Sequence, residues 1–212
     1  TFAIGAQPVW TPRALLDEFG KHASLRAQLN RARNKGLHVH RVRDLDGATR
    51  GALDRCLEQW ISRRGLPPLH FLIETNTLQQ LEDRLLLVAE QDERPIAFMV
   101  ATPIPARRGW LIEQIVRGGA APNGTTELLL YHAARVLDDA KADMLTLGLA
   151  PLARRGVPMV DRAPQWLRML LASLRTHGHR FYNFEGLEQF KAKFSGSQWD
   201  PVYASVTPGT RL

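Results

Sequence analysis

Three β-prone, largely apolar stretches follow one another through the middle of the chain with only short turns between them. They run from Arg84 to Glu90, Pro95 to Thr102 and Gly109 to Arg117, joined by the turn QDER and the loop IPARR. Consecutive strand-like stretches with connections this short are typical of neighbouring antiparallel strands. The sequence therefore predicts an antiparallel meander, which requires other elements to cover its apolar surface.

Helices are predicted before and after the meander, and the stretch from Asp46 to Arg64 is the clearest. Apolar residues recur there at helical spacing, at Leu53, Cys56, Leu57, Trp60 and Ile61. Further helices are expected at 124–141 and 164–177, and single strands at 37–43, 144–148 and 201–206. Together these segments predict an α+β fold with a mostly antiparallel central sheet flanked by helices.

Composition narrows the class of protein. A chain of 212 residues with 44% hydrophobic residues can bury the core of one compact domain, or of one domain with a fragment of another. Cys56 is the only cysteine, so an internal disulfide is excluded, and its apolar helix face predicts a buried structural thiol. No apolar run reaches the roughly 18 residues of a membrane span. The start at Thr1 rather than Met leads us to expect an excised fragment.

The N-terminal region is basic. Thr11-Pro12 is a helix start, Gly20 is expected to interrupt or break the helix, and Gly36 is expected to close a second helical run. From Lys21 to Arg43 there are seven Lys/Arg and no acid, within a chain of net charge +7. The predicted contacts to a polyanion, either tRNA or anionic lipid, are Arg26, Arg31, Arg33 and Lys35. The alternative is a solvated helix face.

The stretch FYNFEGLEQFKAKF, from Phe181 to Phe194, combines aromatic and charged residues. Leu187, Phe190 and Phe194 recur at helical spacing, which predicts a short amphipathic helix whose apolar residues join the core. Tyr182 and Asn183 precede it, and each needs a hydrogen-bond partner if it is buried.

This stretch, followed by WDPVY at 199–203, resembles the C-terminal signature of the phosphatidylglycerol lysyltransferase family. These bacterial enzymes move an amino acid from aminoacyl-tRNA to a membrane lipid. Three further stretches are similar to the family's in the same order, namely LRAQLNRARNKG at 25–36, APNGTTELL at 121–129 and LGLAPL at 147–152. The resemblance spans most of the chain.

The order of elements from Leu37 onward resembles the plan of the GNAT fold of acetyl-CoA-dependent N-acetyltransferases. The lysyltransferase family is built from two such domains in tandem. The resemblance thus implies a GNAT-like catalytic domain at 37–212 and, at 1–36, the C-terminal remnant of a preceding one. It also implies aminoacyl-tRNA and an anionic phospholipid as partners, no cofactor, and a place at the cytoplasmic face of the bacterial inner membrane.

The loop RGGAAPNGTTE, at 117–127, leads into a helix N-terminus, which is where this fold holds the acyl donor. Pro122 removes one backbone N–H that a coenzyme A pyrophosphate would use, which argues against coenzyme A. By resemblance, Asn123 and Gly124 match the family's substrate-binding motif, which usually has Asp where Glu127 stands. The predicted substrate-binding residues are Asn123, Gly124, Glu127, Asn183 and Lys191, and the transesterification makes Glu113, Tyr182 and Glu185 the catalytic candidates. The alternatives are that Asn123 is only the helix N-cap and that Glu127 is a first-turn acid favoured by the helix dipole.

The sequence does not decide the roles of some other polar residues near the predicted site. Glu113 and Gln114 are consecutive strand residues, so we expect them to face opposite sides of the sheet. Relatives often carry Asp near Gln114, so an amide there affects activity or substrate choice. His132 is a further candidate, although a half-buried helix histidine explains it as well. We expect Asn123, Glu127, Tyr182 and Asn183 to converge on one pocket.

The predicted function is aminoacyl transfer, with lysine as the first candidate, from tRNA to phosphatidylglycerol or a similar lipid. Two alternatives stay open: an acyl-CoA-dependent N-acyltransferase, and a non-catalytic GNAT-like module that binds RNA or a membrane. No His/Cys/Asp cluster has metal-ligand spacing, so no metal is predicted. The sequence leaves the amino acid, the lipid and the oligomeric state open.

Overall fold

A computed structural model describes residues 2–63, 77–151, 189–194 and 198–205. The strands are β1 (Phe2–Trp10), β2 (His38–Val42), β3 (Leu85–Gln91), β4 (Arg94–Ile104), β5 (Gly109–Arg117), β6 (Met144–Thr146), β7 (Ala150–Pro151) and β8 (Gln198–Ala204). The helices are α1 (Pro12–Lys21), α2 (Ala23–Asn34), α3 (Gly47–Ser62) and α4 (Thr125–Asp139). Single 3-10 turns lie at Thr77–Gln79 and Pro105–Arg107, and residues 189–192 are helical. The helix predicted at 164–177 lies outside the described residues.

The chain forms two compact units, one of Thr11–Leu145 and one that joins Thr1–Trp10 to Thr146–Leu212. The predicted division into a remnant at 1–36 and a domain at 37–212 stays a prediction. In the described part, no helix is both long and apolar enough to cross a bilayer.

The larger unit is built on the predicted meander, which is confirmed. Strand β2 pairs antiparallel with β3, β3 with β4, and β4 with β5. Residues 85–89 of β3 and 97–101 of β4 are each at most 2% exposed. Because successive side chains of a strand point to opposite faces, both faces of this sheet are covered.

Helix α3 covers one face. Its buried residues Leu53, Cys56 and Leu57 form a core cluster whose strand members are Leu86, Val88, Phe98, Val100 and Val116. Burying one such side chain stabilises the fold by about 1.5–3 kcal/mol. Burial raises the pKa of the Cys56 thiol, in agreement with the predicted structural role.

Helix α3 begins at the N-cap Asp46, whose Oδ1 accepts from the backbone N–H groups of Ala48 and Thr49 at 2.8 and 2.9 Å.

Helix α4 packs against the meander strands, none of its residues belongs to the α3 cluster, and α1 and α2 pack on α4. The break between α1 and α2 falls at His22, whose extended backbone ends α1, and not at Gly20. At the start of α4, Gly124 has φ +93° and lies against α2. A Cβ there would meet the Gln28 carbonyl oxygen at 2.2 Å, so only glycine permits this helix crossing.

In the smaller unit β1 lies between β7 and β8. It pairs antiparallel with β8 from Phe2↔Ala204 to Val9↔Gln198, and with β7 at Gly5↔Pro151 and Ala6↔Ala150. The sequence predicts the last strand at 201–206, and the structure begins it earlier, at Gln198. Phe194 is fully buried, which confirms its predicted core role, and it packs edge-on against the half-buried Phe190 with ring centroids 5.4 Å apart.

We predict that Gly124→Ala lowers the free energy of unfolding by about 2–4 kcal/mol, through the positive φ and the contact with the Gln28 backbone. Gly20→Ala is the matched control because Gly20 lies inside α1 with no atom within 4 Å of the added Cβ. That change should stabilise the chain by about 0.5–1 kcal/mol. Urea denaturation measures both, and equal effects of the two changes would contradict the packing role of Gly124.

Candidate functional site

A β-bulge interrupts the pairing of β4 with β5. Val100 pairs with Gln114, whereas the next residue, Ala101, pairs with Ile112, so Glu113 is the extra residue of β5. A bulge redirects the side chain of the inserted residue, and bulges are frequent beside active sites.

The bulge turns Glu113 toward the face of the sheet that α3 covers. Its Oε2 accepts from Thr102 Oγ1 at 2.5 Å and lies 3.2 Å from Arg84 Nη1. Thr102 is two residues from Val100, and Arg84 is two residues from Leu86, so each shares the sheet face of a residue in the α3 cluster. The Glu113 and Arg84 side chains are 24% and 19% exposed, so the ion pair is largely desolvated. Such a pair is costly to bury unless its geometry is good and further hydrogen bonds satisfy it.

Gln114 faces the same side, because its partner Val100 belongs to the α3 cluster. The amide is 7% exposed, and its Oε1 accepts from Thr77 Oγ1 at 2.6 Å. The prediction that Glu113 and Gln114 face opposite sides is therefore wrong, since strict alternation fails at a bulge. We name the set formed by Thr77, Arg84, Thr102, Glu113 and Gln114 the bulge cluster.

The loop between β5 and α4 uses its own backbone donors. Gly118 N–H donates to Ile96 O at 2.9 Å, Gly119 N–H to Gln59 Oε1 at 2.8 Å, and Ala121 N–H to Gly118 O at 3.2 Å. Pro122 has no N–H, and its carbonyl oxygen accepts from Thr125 Oγ1 at 2.7 Å. These N–H groups are engaged within the protein rather than directed at a ligand phosphate.

The residues at the start of α4 differ in exposure. The N-cap is Gly124, so the alternative interpretation of Asn123 as the N-cap is wrong, and Asn123 is exposed. Glu127 is 8% exposed in the first turn, where the helix dipole favours a carboxylate. Burial lowers the pKa of His132, and the nearby Arg135 and Arg33 lower it further.

Among the predicted site residues that the structure describes, Lys191 makes the most hydrogen bonds. Its Nζ donates to the carbonyl oxygens of Leu147, Gly148 and Leu149 at 2.7, 2.8 and 2.8 Å. The side chain thus holds the LGL segment of the LGLAPL motif, and all three ammonium protons are committed to it. Burial lowers the pKa of Lys191 to about 8. The substrate-binding role of Lys191 stays a prediction, and this geometry supports a positioning role.

The predicted polyanion residues Arg26, Arg31, Arg33 and Lys35 are all exposed on α2 or just after it. None of the four pairs with an acid in the described part of the chain. The Arg33 guanidinium lies 5.3 Å from the centroid of the Tyr131 ring on α4, within cation–π range.

Three predicted site residues, Tyr182, Asn183 and Glu185, lie outside the described residues. Their convergence with Asn123 and Glu127 therefore stays a prediction. Sequence reasoning missed Arg84 and Thr102, because neither breaks the apolar pattern in a way that connects it to Glu113. Among the described residues, no group of three or more His, Cys, Asp or Glu is placed to hold a metal ion.

The profile of the family described as "Phosphatidylglycerol lysyltransferase, C-terminal" matches residues 18–206. The C-terminal domain (DUF2156) of a protein assigned as a lysylphosphatidylglycerol synthetase from Agrobacterium fabrum is 24% identical, with a TM-score of 0.72. L-PGS from Bacillus licheniformis is 20% identical, with a TM-score of 0.69. Each alignment covers 94% of this chain and 59% of the solved one. No curated protein sequence matches the chain. These likenesses confirm the predicted fold class.

We predict that Lys191→Met lowers the free energy of unfolding by about 1–3 kcal/mol at pH 7, because three carbonyl groups lose their donor. The wild-type contribution also depends on pH. Since the folded-state pKa of about 8 is below the ordinary 10.5, the folded chain releases this proton first. The free energy of unfolding of the wild type, relative to that of Lys191→Met, should therefore rise as the pH rises from about 8 toward 10.5.

Urea denaturation of both proteins at pH 7 and pH 9.5 measures this difference. Lys141→Met, at an exposed lysine, is the control and should change stability by less than about 0.5 kcal/mol at either pH. A Lys191→Met variant as stable as the control variant would contradict the stabilising role of the bonds from Lys191 to residues 147–149.

Proposed function

Because this chain belongs to the phosphatidylglycerol lysyltransferase C-terminal family, we propose that it moves an amino acid from aminoacyl-tRNA to phosphatidylglycerol or a similar anionic lipid. Lysine is the first candidate for the amino acid. The observation that carries the proposal is the family match over residues 18–206. The chain spans 59% of each of the two solved relatives, so the activity proposed is that of the whole protein.

The reaction is a transesterification. A lipid hydroxyl attacks the aminoacyl ester carbonyl, which requires a base, donors to the oxyanion and exclusion of water. Glu113 supports the first requirement, since it is a partly exposed carboxylate held at a bulge. We assign Tyr182 and Glu185 to the same reaction.

Substrate contacts are proposed for Asn123, Gly124, Glu127 and Asn183, and Lys191 is proposed to support substrate binding. We assign Glu127 to the amino group of the transferred residue, because a carboxylate attracts an ammonium group. Lys191 acts indirectly, by holding the 147–149 segment. An aminoacyl-tRNA donor also implies action at the cytoplasmic face of the membrane.

The β5–α4 loop argues against an acyl-CoA donor. A coenzyme A pyrophosphate needs free backbone N–H groups, and those of Gly118, Gly119 and Ala121 are engaged within the protein. A non-catalytic RNA-binding module is the second candidate. The observation that favours it is the amide of Gln114, bonded to Thr77 near a position where the family resemblance leads us to expect an acid.

We predict that the purified protein transfers label from aminoacyl-tRNA to phosphatidylglycerol vesicles, because the ester is the activated donor. The measurement is label in the extracted lipid, with several amino acids tried and RNase pretreatment as the control. Absence of lipid label for every amino acid, or label that survives RNase, would contradict the transfer. Binding of tRNA without any turnover would instead favour the non-catalytic module.

We also predict that replacing Arg26, Arg31, Arg33 and Lys35 with Ala weakens tRNA binding and reduces its salt dependence. The log–log slope should fall by roughly one unit for each phosphate that the variant no longer neutralises. The matched control removes the same charge elsewhere, by Ala at Arg50, Arg55, Arg94 and Arg107. Fluorescence anisotropy over a salt series measures both variants, and equal slopes would reduce the α2 surface to a solvated face.

A further inference from the structure

The bulge cluster contains a donor and an acceptor that no described residue uses. Arg84 Nη1 is buried and lies 3.2 Å from Glu113 Oε2, yet its N–H groups find no hydrogen-bond acceptor among the described residues. On the carboxylate, Thr102 and Arg84 both approach Oε2, and no described residue donates to Oε1. One oxygen of Glu113 is therefore anchored, and the other has no donor in the described part of the chain.

Such an arrangement needs an explanation because it lies at the edge of an apolar core. Buried polar groups are nearly always hydrogen-bonded, and exceptions often serve a ligand or a reaction. Gln114, the next residue of β5, satisfies its carbonyl through Thr77, so the cluster is able to pair its polar groups internally. The open positions are confined to Arg84 and Glu113.

The two open positions are close to each other. Arg84 Nη1 is in ion-pair range of one oxygen of the carboxylate, and the open oxygen belongs to the same group. A single reacting centre can therefore meet a proton acceptor and an N–H donor together. This combination suits a hydroxyl that attacks a carbonyl, because the hydroxyl loses a proton while the carbonyl oxygen gains negative charge.

We propose that Glu113 Oε1 takes the proton of the attacking lipid hydroxyl while Arg84 Nη1 donates to the developing oxyanion, with Thr102 as the positioning residue. This inference rests on the proposed function. The hydroxyl oxygen forms a bond to the ester carbon, and its proton passes to Glu113 Oε1. When the tetrahedral intermediate collapses, the bond to the tRNA ribose oxygen breaks, and that oxygen receives the proton from Glu113.

Thr102 determines which oxygen of the carboxylate is anchored. Its hydroxyl has one proton, and it donates that proton to Oε2 at 2.5 Å, the length of a charge-assisted bond. This leaves Oε1 without a donor among the described residues. Serine retains the hydroxyl at this position and valine removes it, so the two substitutions separate orientation from side-chain shape.

The test compares transfer rates of the wild type with those of Arg84→Met, Arg84→Lys, Glu113→Gln, Thr102→Val and Thr102→Ser. We expect Arg84→Met and Glu113→Gln to lower kcat by about 100-fold or more. Thr102→Val should lower kcat by about 10-fold and Thr102→Ser should restore most of it. Arg94→Met, at an exposed arginine of the same sheet, is the control and should behave as the wild type.

Circular dichroism and urea midpoints identify variants that fail to fold. Where Arg84→Met or Thr102→Val fails to fold, the transfer rate of the conservative variant Arg84→Lys or Thr102→Ser is compared with that of the wild type instead. Values of kcat within threefold of the wild type for all folded cluster variants would overturn the inference. So would a loss in Thr102→Val that Thr102→Ser fails to rescue.

A second measurement separates this inference from the proposed function. Calorimetric titration with dihexanoyl phosphatidylglycerol reports binding whether or not transfer occurs. If the wild type transfers nothing, weaker binding by Glu113→Gln and Arg84→Met than by Arg94→Met still supports a hydroxyl site at the cluster. Equal binding by all variants would overturn it, even for a protein that transfers label.

Discussion

The antiparallel meander is apolar on both faces, and this constraint organises the larger unit. Because β3 and β4 bury every residue of their central segments, each face requires a helix, and α3 and α4 provide them. The hydrophobic effect is not directional, so it fixes which surfaces are covered without determining where a polar group can be inserted. The bulge at Glu113 determines where polar groups are inserted into this sheet. It changes the alternation of a single strand and brings an acid, an arginine and a threonine together beside the α3 core.

The smaller unit depends on a different interaction. There the Lys191 ammonium gathers three consecutive carbonyl groups, and Thr146 adds a hydroxyl that donates to Pro8 O at 2.8 Å. Lys191 of the FYNFEGLEQFKAKF stretch thus bonds residues 147–149 of the LGLAPL stretch, and both stretches resemble the family in sequence. The occurrence of both stretches in one chain has a physical basis, because LGLAPL supplies the carbonyl groups that the buried charge of Lys191 needs.

Much of the fold could be predicted, because it follows from short-range patterns. Apolar spacing located α3, α4 and the meander strands, while Thr11 and Gly36 marked helix boundaries. The site was less accessible. Alternation assigned Glu113 and Gln114 to opposite faces, since nothing in the local sequence announces a bulge, and Arg84 had no visible link to either. The cap assigned to Asn123 failed for a similar reason, since the approach of α2 to Gly124 is a tertiary contact.

The pairing of β1 with β8 bears on how this protein can be dissected. Residues from the two ends of the printed sequence form one ladder, in which β1 supplies backbone partners to β7 and β8 on its two sides. Cutting the chain at residue 37, where the order of elements suggests a natural boundary, would strip both strands of the neighbour they share. The unpaired edges would then be open to other chains, and aggregation is the usual fate of such edges. Any shortened version of this protein should therefore retain its first ten residues.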